Sequence, residues 1–343
     1  MKALVKRNPG YDEMSLQEIP EPVVEGNQIK IKVAYTGICG SDIHSFKGEY
    51  NNLRPPVVLG HEFSGIVVDI GPNVKGIKIG DRVTSETTFQ TCNTCPYCAE
   101  KNYNLCVDRK GIGTQVNGSF AEYVISREES VHVLPEHVGL LEAALTEPLA
   151  CCVHAALEKT TITPREKILI FGPGPIGLLL SQVIKAQNAY VILAGITKDE
   201  PRLELAKSIG IDQIVNTQKE NLEQIVLTLT EGVGVDKVFD CSGAIPAVNQ
   251  GLSLIKKKGQ CIQVGIFGEK FNKMDQESII QRELSYIGSR SQKPSSWPIA
   301  LNLLEEKKIA TKRMITKIVP LENWREGFEA VMSGHEIKVI IQS

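Results

Sequence analysis

The sequence predicts an α/β protein of two domains: a β-rich domain, and a doubly wound domain with a parallel sheet inserted within it. Three observations carry that prediction. The chain has 343 residues, about twice a common domain length. Its first part, to about residue 150, is a series of short alternating runs punctuated by Gly, Pro and Asn, as half-buried strands require. From about residue 165 the pattern becomes strand–helix alternation at parallel-sheet spacing.

Taken in order, QIKIKVAYTG, FSGIVVDIG, DRVTSET and FAEYVIS read as strands of the first domain. KILIF is a buried-strand run, followed by the turn GPGPIG and the helical stretch GLLLSQVIKAQN. YVILA, the helix PRLELAKSIG, the strand QIVN, the helix ENLEQIVLTLTEG and the strand DKVFD continue the alternation. VNQGLSLIKKKG leads to QCIQVGIF, and after ELSYIGSR comes the helix WPIALNLLEEKK. The final run KVIIQS is too short and isolated to stand alone, so it is expected to return to the first domain's sheet. The expected boundaries are 1–155 with 290–343 for the β-rich domain, and 156–289 for the inserted one.

A formal net charge of -2 and the absence of long charged runs give no sign of a nucleic-acid partner or a charged tail. No apolar run approaches the roughly 20 residues of a membrane helix, and the start MKALVKRNPGYDEMSL lacks the apolar core of a signal peptide. A cytoplasmic location is expected. There thiols stay reduced, so the nine cysteines read as metal ligands or packing residues rather than as disulfides.

Gly172, Gly174 and Gly177 form G-x-G-x-x-G directly after a strand and before a helix. Such a turn lets a pyrophosphate approach free N–H groups at a helix N-terminus, here with Pro175 and Ile176 in the first turn. Four more strand–helix units follow, so a dinucleotide is the expected ligand. The acidic residue that should end the second strand and hold a ribose 2′-hydroxyl is missing: YVILA runs into Gly195, Ile196, Thr197 and Lys198, and Asp199 and Glu200 come too late. Thr197, Lys198 and Arg202 could take a 2′-phosphate, which tilts the expected NAD(P) cofactor toward NADP. Ser242, Val264 and Gly265 follow later strands, on loops that face the ligand crevice in a doubly wound sheet.

Cys92, Cys95, Cys98 and Cys106 have the spacing C-x2-C-x2-C-x7-C, in a lobe at about 90–108. Four thiolates close a tetrahedron around Zn²⁺ and leave no open position, as in a structural site. An iron–sulfur cluster also uses four cysteines, but the lobe-like insertion in a β domain favours zinc. A second set is quieter: Cys39 in GICGSDIH, His61 and Glu62 in LGHEF, and Glu147 in LTEPLACC. One thiolate, one imidazole and one carboxylate with a fourth position free is the pattern of a catalytic zinc.

These stretches, with IGDRV and TEPLAC, resemble the zinc-containing medium-chain dehydrogenases, and within them the sorbitol (polyol) and threonine dehydrogenase branch. The resemblance spans essentially the whole chain. It implies a GroES-like catalytic domain and a Rossmann domain, two zinc ions per chain, and hydride transfer from a secondary alcohol to NAD(P). By the resemblance Cys39, His61 and Glu62 ligate the catalytic zinc, Glu147 binds the metal or its water, and a proton leaves through Ser41 and His44. Ser289 and Arg290 would approach the nicotinamide end, and Arg290 with Lys293 the substrate. A homodimer or homotetramer is implied. Ser45 stands where sorbitol dehydrogenases carry an aromatic residue after the relay histidine, and GSRSQKPSSW also differs from their string. The expected substrate is therefore a pentitol or hexitol, free or phosphorylated, with threonine or another secondary alcohol next. A non-catalytic zinc and nucleotide-binding protein is the reading from another class, and an open metal position argues against it.

Overall fold

The computed structural model describes residues 1–343. The chain divides into two compact units: Met1–Ala150 with Gln292–Lys307 and Thr311–Ser343, and Cys151–Ser291 with Lys308–Ala310. The first division falls inside the helix Thr146–Val153, so Cys151 to Ala155, expected with the β-rich domain, belong to the second unit. Cys152 shows why: its thiol is fully buried and donates to the Ile176 carbonyl at 3.4 Å. Arg290 and Ser291 also fall in the second unit.

The first unit is organised by the strand Gln28–Gly37, whose alternation buries Ile29, Ile31 and Val33 on one face. It pairs antiparallel with Glu62–Ile70 along its length, with Tyr123–Arg127 near its start and with Lys338–Gln342 near its end. The final strand thus returns to this sheet, lying parallel to Ile315–Pro320 on its other side. A smaller sheet joins Lys2–Lys6 to Met14–Glu18 and Val57–Val58. A two-stranded ribbon, Thr88–Gln90 with Lys110–Gly111, forms the neck of the cysteine lobe. The core between these sheets holds Leu4, Leu59, Phe46, Phe120 and Phe328.

The second unit is a six-stranded parallel sheet in the spatial order Gln213–Asn216, Tyr190–Gly195, Lys167–Phe171, Val235–Asp240, Ile255–Gln263, Ser285–Gly288. Its central strands are buried on both faces and read as continuous apolar runs. The strand Ile255–Gln263 begins earlier than the glycine and lysine punctuation of LIKKKG implies, because Ile255 pairs with Val235 before the register shifts. Strand order reverses between Lys167–Phe171 and Val235–Asp240, where open α/β sheets bind ligands.

Candidate active site

The helix Gly40–Lys47 starts at Cys39, and Asp42 in its first turn accepts the Cys39 N–H at 2.9 Å. That bond holds the thiol at the end of the strand Gln28–Gly37. Strand pairing sets Gly37 opposite Glu62, which brings His61 and Glu62 to the same place. One ligand atom each from Cys39, His61 and Glu62 lie within 4.8 Å of one another. His61 Nδ1 is buried without a hydrogen-bond partner, 3.7 Å from Asp42 Oδ1. A nitrogen, a sulfur and an oxygen donor, with an orphaned imidazole nitrogen, fit a zinc ion with a position to spare.

The charges agree with that fit. Burial pushes the Asp42 carboxyl up, against the pull of His61. Burial would push His61 down, but Asp42, Cys39 and Glu147 together hold it well above its ordinary value. Two carboxyl groups and a thiol thus crowd a buried imidazole, as they do where a cation belongs. Lys338 supplies one cation. It is buried, its ammonium contacts Glu62 Oε2, and it donates to the Ile38 carbonyl at 3.0 Å. Burial alone would lower its pKa, but Glu62 and Cys39 outweigh it. Sequence reasoning missed Lys338 and Asp42. A lone lysine opening an otherwise apolar strand, and an Asp three residues after a helix-capping position, were the available signals.

Glu147 lies outside this cluster of ligand atoms. It is buried, and its Oε1 accepts a hydrogen bond from Gln292 Nε2 at 3.1 Å. Ser41 shares a helix with His44, and its carbonyl accepts the Ser45 hydroxyl at 2.8 Å. His44 is exposed, with Nδ1 2.8 Å from Glu49 Oε2.

In the lobe the four sulfurs of Cys92, Cys95, Cys98 and Cys106 also lie within 4.8 Å of one another. Measured separations are 3.9 Å for Cys92 to Cys98, 3.5 Å for Cys95 to Cys98 and 3.6 Å for Cys106 to Cys92. Sulfurs at the corners of a tetrahedron with bonds of about 2.3 Å stand about 3.8 Å apart. The Cys95 N–H points at Cys92 Sγ (3.3 Å) and the Cys92 N–H at Cys106 Sγ (3.4 Å). The Thr94 N–H and hydroxyl, followed by the Cys95 N–H, pull the Cys92 thiol down to about 6. Burial and the Cys95 and Cys106 thiols push Cys98 up to about 11. The set has donors for a four-sulfur zinc site and no gap for a substrate.

In the second unit a cavity of about 630 Å³ opens at the carboxyl ends of the strands. Gly172, Gly174, Gly195, Lys198, Arg202 and Ser242 line it, as the sequence predicts, together with Thr217 and Gln250, which it did not single out. The glycines divide the labour. Gly172 has φ +90°, and a Cβ on Gly177 would overlap the Gly172 carbonyl oxygen. A Cβ on Gly174 would meet no protein atom, so its space belongs to the cavity. Pro175 and Ile176 open the helix Pro175–Lys185 behind the turn. The fully buried Asp240 organises the next loop: it accepts from the Ser242 hydroxyl at 2.6 Å and the Gly243 N–H at 2.9 Å, while its carbonyl takes the Val264 and Gly265 N–H groups. Ser289 donates its N–H to Gln263, and Arg290 beside it is exposed.

At the end of the second strand Asp199 caps the next helix, Glu200–Ser208, as its late position in the sequence implies, and the tight turn Thr197–Asp199 lets its carboxylate accept the Ile196 N–H at 3.2 Å on the cavity wall. Thr197 turns away instead, giving its N–H to Gln218 at 3.0 Å and facing Asn216 with its hydroxyl. Arg202 stands 3.8 Å from Asp199.

A unit with one closed and one open metal-donor set, together with a nucleotide-type sheet whose glycine turn lines a cavity, defines a zinc-binding dehydrogenase. Comparison with known proteins agrees. Residues 25–136 match the alcohol dehydrogenase GroES-like domain, and residues 175–306 the zinc-binding dehydrogenase domain. The chain is 59% identical over 343 residues to a D-arabitol-phosphate dehydrogenase of Enterococcus avium, covering 100% of this chain and 97% of the relative. It is 49% identical over 341 residues to a sorbitol dehydrogenase of Halalkalibacterium halodurans, covering 99% of each. The solved structure of galactitol-1-phosphate dehydrogenase from Escherichia coli superposes with a TM-score of 0.90 at 26% identity, covering 100% of both chains. The chain belongs to the zinc-containing medium-chain dehydrogenases, in their polyol dehydrogenase branch. It is an NAD(P)-linked oxidoreductase, and threonine dehydrogenases are more distant, at 34% identity.

Proposed function

We propose that this enzyme oxidises a secondary hydroxyl of a polyol phosphate, most plainly a pentitol phosphate, to the corresponding ketose phosphate, with two zinc ions per chain. The observation that carries the chemistry is the Cys39, His61 and Glu62 donor set with its orphaned imidazole nitrogen. The 59% identity to a D-arabitol-phosphate dehydrogenase supports the substrate class. Zinc held there would supply Lewis acidity toward the substrate hydroxyl, and a bound nicotinamide would supply the hydride acceptor. Lys338 holds Glu62 in place and balances its charge, and Asp42 stands behind His61. Ser41 takes the hydroxyl proton and passes it toward His44, whose exposed ring and Glu49 partner give it a path to water. Glu147 would act on the metal or its water. Arg290 and Lys293 are the cations assigned to the substrate's far end. Four sulfurs hold the second zinc, which stabilises the lobe.

NADP(H) is the proposed preference. Gly195, Ile196 and Thr197 carry no carboxylate, and Lys198 and Arg202 both line the cavity. Asp199 on the same wall favours NAD(H), but Arg202 stands against it. A cytoplasmic homo-oligomer completes the reading. A panel of free polyols, polyol phosphates and amino alcohols with both cofactors, followed by absorbance of the reduced nicotinamide, tests it. Turnover of free polyols at kcat/KM equal to or above that of their phosphates rejects the phosphate assignment, and an NADP/NAD ratio of kcat/KM well below one rejects the cofactor preference.

A further inference from the structure

Gln292 lies in the first unit, is 3% exposed, and carries an amide that burial would penalise unless its hydrogens were bonded. Both are bonded: Nε2 donates to Glu147 Oε1 at 3.1 Å and to Thr87 Oγ1 at 3.0 Å. An ionised carboxylate only accepts, so the amide nitrogen, not its oxygen, faces Glu147. Thr87 is itself fixed, because its Oγ1 also accepts from Arg109 Nη2 at 2.8 Å, while Arg109 Nε donates to Thr88 Oγ1 at 2.9 Å. A guanidinium has donors only, so the Thr87 oxygen is the acceptor in both bonds. Gln292 is therefore held at both amide hydrogens, with a pinned hydroxyl oxygen on one side and Glu147 on the other. Glu147 is close enough to His61 and Lys338 for its charge to act on both.

We propose that Gln292 is a positioning residue for Glu147: clamped between Thr87 and Glu147, it holds that carboxylate in one orientation beside the Cys39, His61 and Glu62 donor set. The inference rests on the zinc-dependent reading of that set. Glutamine suits the task. Asparagine is one methylene short of spanning the two partners, and glutamate would press a second carboxylate on Glu147. Outer-shell partners of metal sites are usually worth about 10–100-fold in activity or metal affinity.

The test uses zinc-loaded full-length protein with Gln292→Met, which keeps volume and removes both donors, Gln292→Glu, and Thr87→Val. Gln292→Met is expected to lower kcat about 10-fold or more with little change in KM, and to speed loss of the open-site zinc to a chelator by a similar factor. Gln292→Glu should be worse than Gln292→Met on both readouts. Thr87→Val should act in the same direction, and the Thr87→Val/Gln292→Met double variant should be about as impaired as Gln292→Met alone, because both remove one clamp. Wild-type kcat and zinc-release rate in Gln292→Met would overturn the proposal, as would additive effects, or a lowered melting temperature with full activity per folded molecule. If wild-type protein oxidises no polyol or polyol phosphate, the functional reading fails, while zinc release still decides the role of Gln292.

Discussion

Replacing Lys338 with Met removes the ammonium that contacts Glu62 and keeps an unbranched side chain in its place. The two side chains are 3% and 2% exposed, so water cannot substitute for the lost partner. Removing one member of a buried ion pair costs about 3–5 kcal/mol, because the other charge is left uncompensated. Zinc bound at Cys39, His61 and Glu62 would give the same carboxylate a second counter-charge, so the cost should be felt mainly when the metal is gone. In a unit of about 200 residues, each kcal/mol moves Tm by about 2–4 °C. The chelated variant should therefore melt on the order of 10 °C below chelated wild type, with less than half that gap between the zinc-loaded proteins. The Ile38 carbonyl also loses a donor, at about 1 kcal/mol, but that loss is the same with or without metal and cannot mimic the difference. The cysteine lobe likewise responds equally in both proteins. Thermal unfolding followed by circular dichroism, in zinc and in chelator, gives all four values. Equal losses in both conditions, or no loss in chelator, would refute the view that Lys338 and the metal share one carboxylate.

Metal analysis should find about two zinc ions per chain, falling to one after mild chelation with circular dichroism unchanged; none at all would sink both metal assignments. Cys39→Ser should abolish turnover and leave a folded protein with one zinc. Cys95→Ser should lower stability or assembly first, and a stable but inactive Cys95→Ser protein would reverse the division of roles. Gly174→Val should fold, because its added carbons enter the cavity, and should raise the cofactor KM sharply. Gly177→Ala should instead damage folding of the nucleotide unit, since its Cβ overlaps the Gly172 carbonyl; normal stability there would show that the turn relaxes.

How much could be read in advance follows from how local each feature is. The cysteine lobe closes within one short loop, and its N–H groups point at its own sulfurs, so spacing alone announces it. The glycine turn is local too, and strand–helix alternation around it gives the nucleotide unit away. Cys39, His61 and Glu62 were legible through the family resemblance, whereas their physical assembly comes from the Gly37–Glu62 register. Asp199 reaches the cavity wall through a tight turn that brings its carboxylate back toward Ile196, a path that distance along the chain does not show. Gln292 and Lys338 were invisible for a related reason. Each comes from a late segment, and only the fold carries Lys338 to Glu62 and Gln292 to Glu147.

The stretch GIC shows how a quiet residue can be as constrained as a ligand. Gly37 pairs with Glu62 on one side and Ile340 on the other, so it lies between the two strands that carry Glu62 and Lys338. A Cβ there would overlap Glu62 Oε2 and stand 2.7 Å from Lys338 Cε. A side chain at Gly37 would therefore force apart the Glu62–Lys338 pair, in a core packed too tightly to yield freely. The glycine is needed for space alone, since it carries no positive φ. The open site thus depends on three strands at once: one leads into the thiolate, one supplies the imidazole and carboxylate at its start, and the last supplies the lysine. Without the C-terminal strand, Glu62 would lose the buried ammonium that Lys338 sets against it.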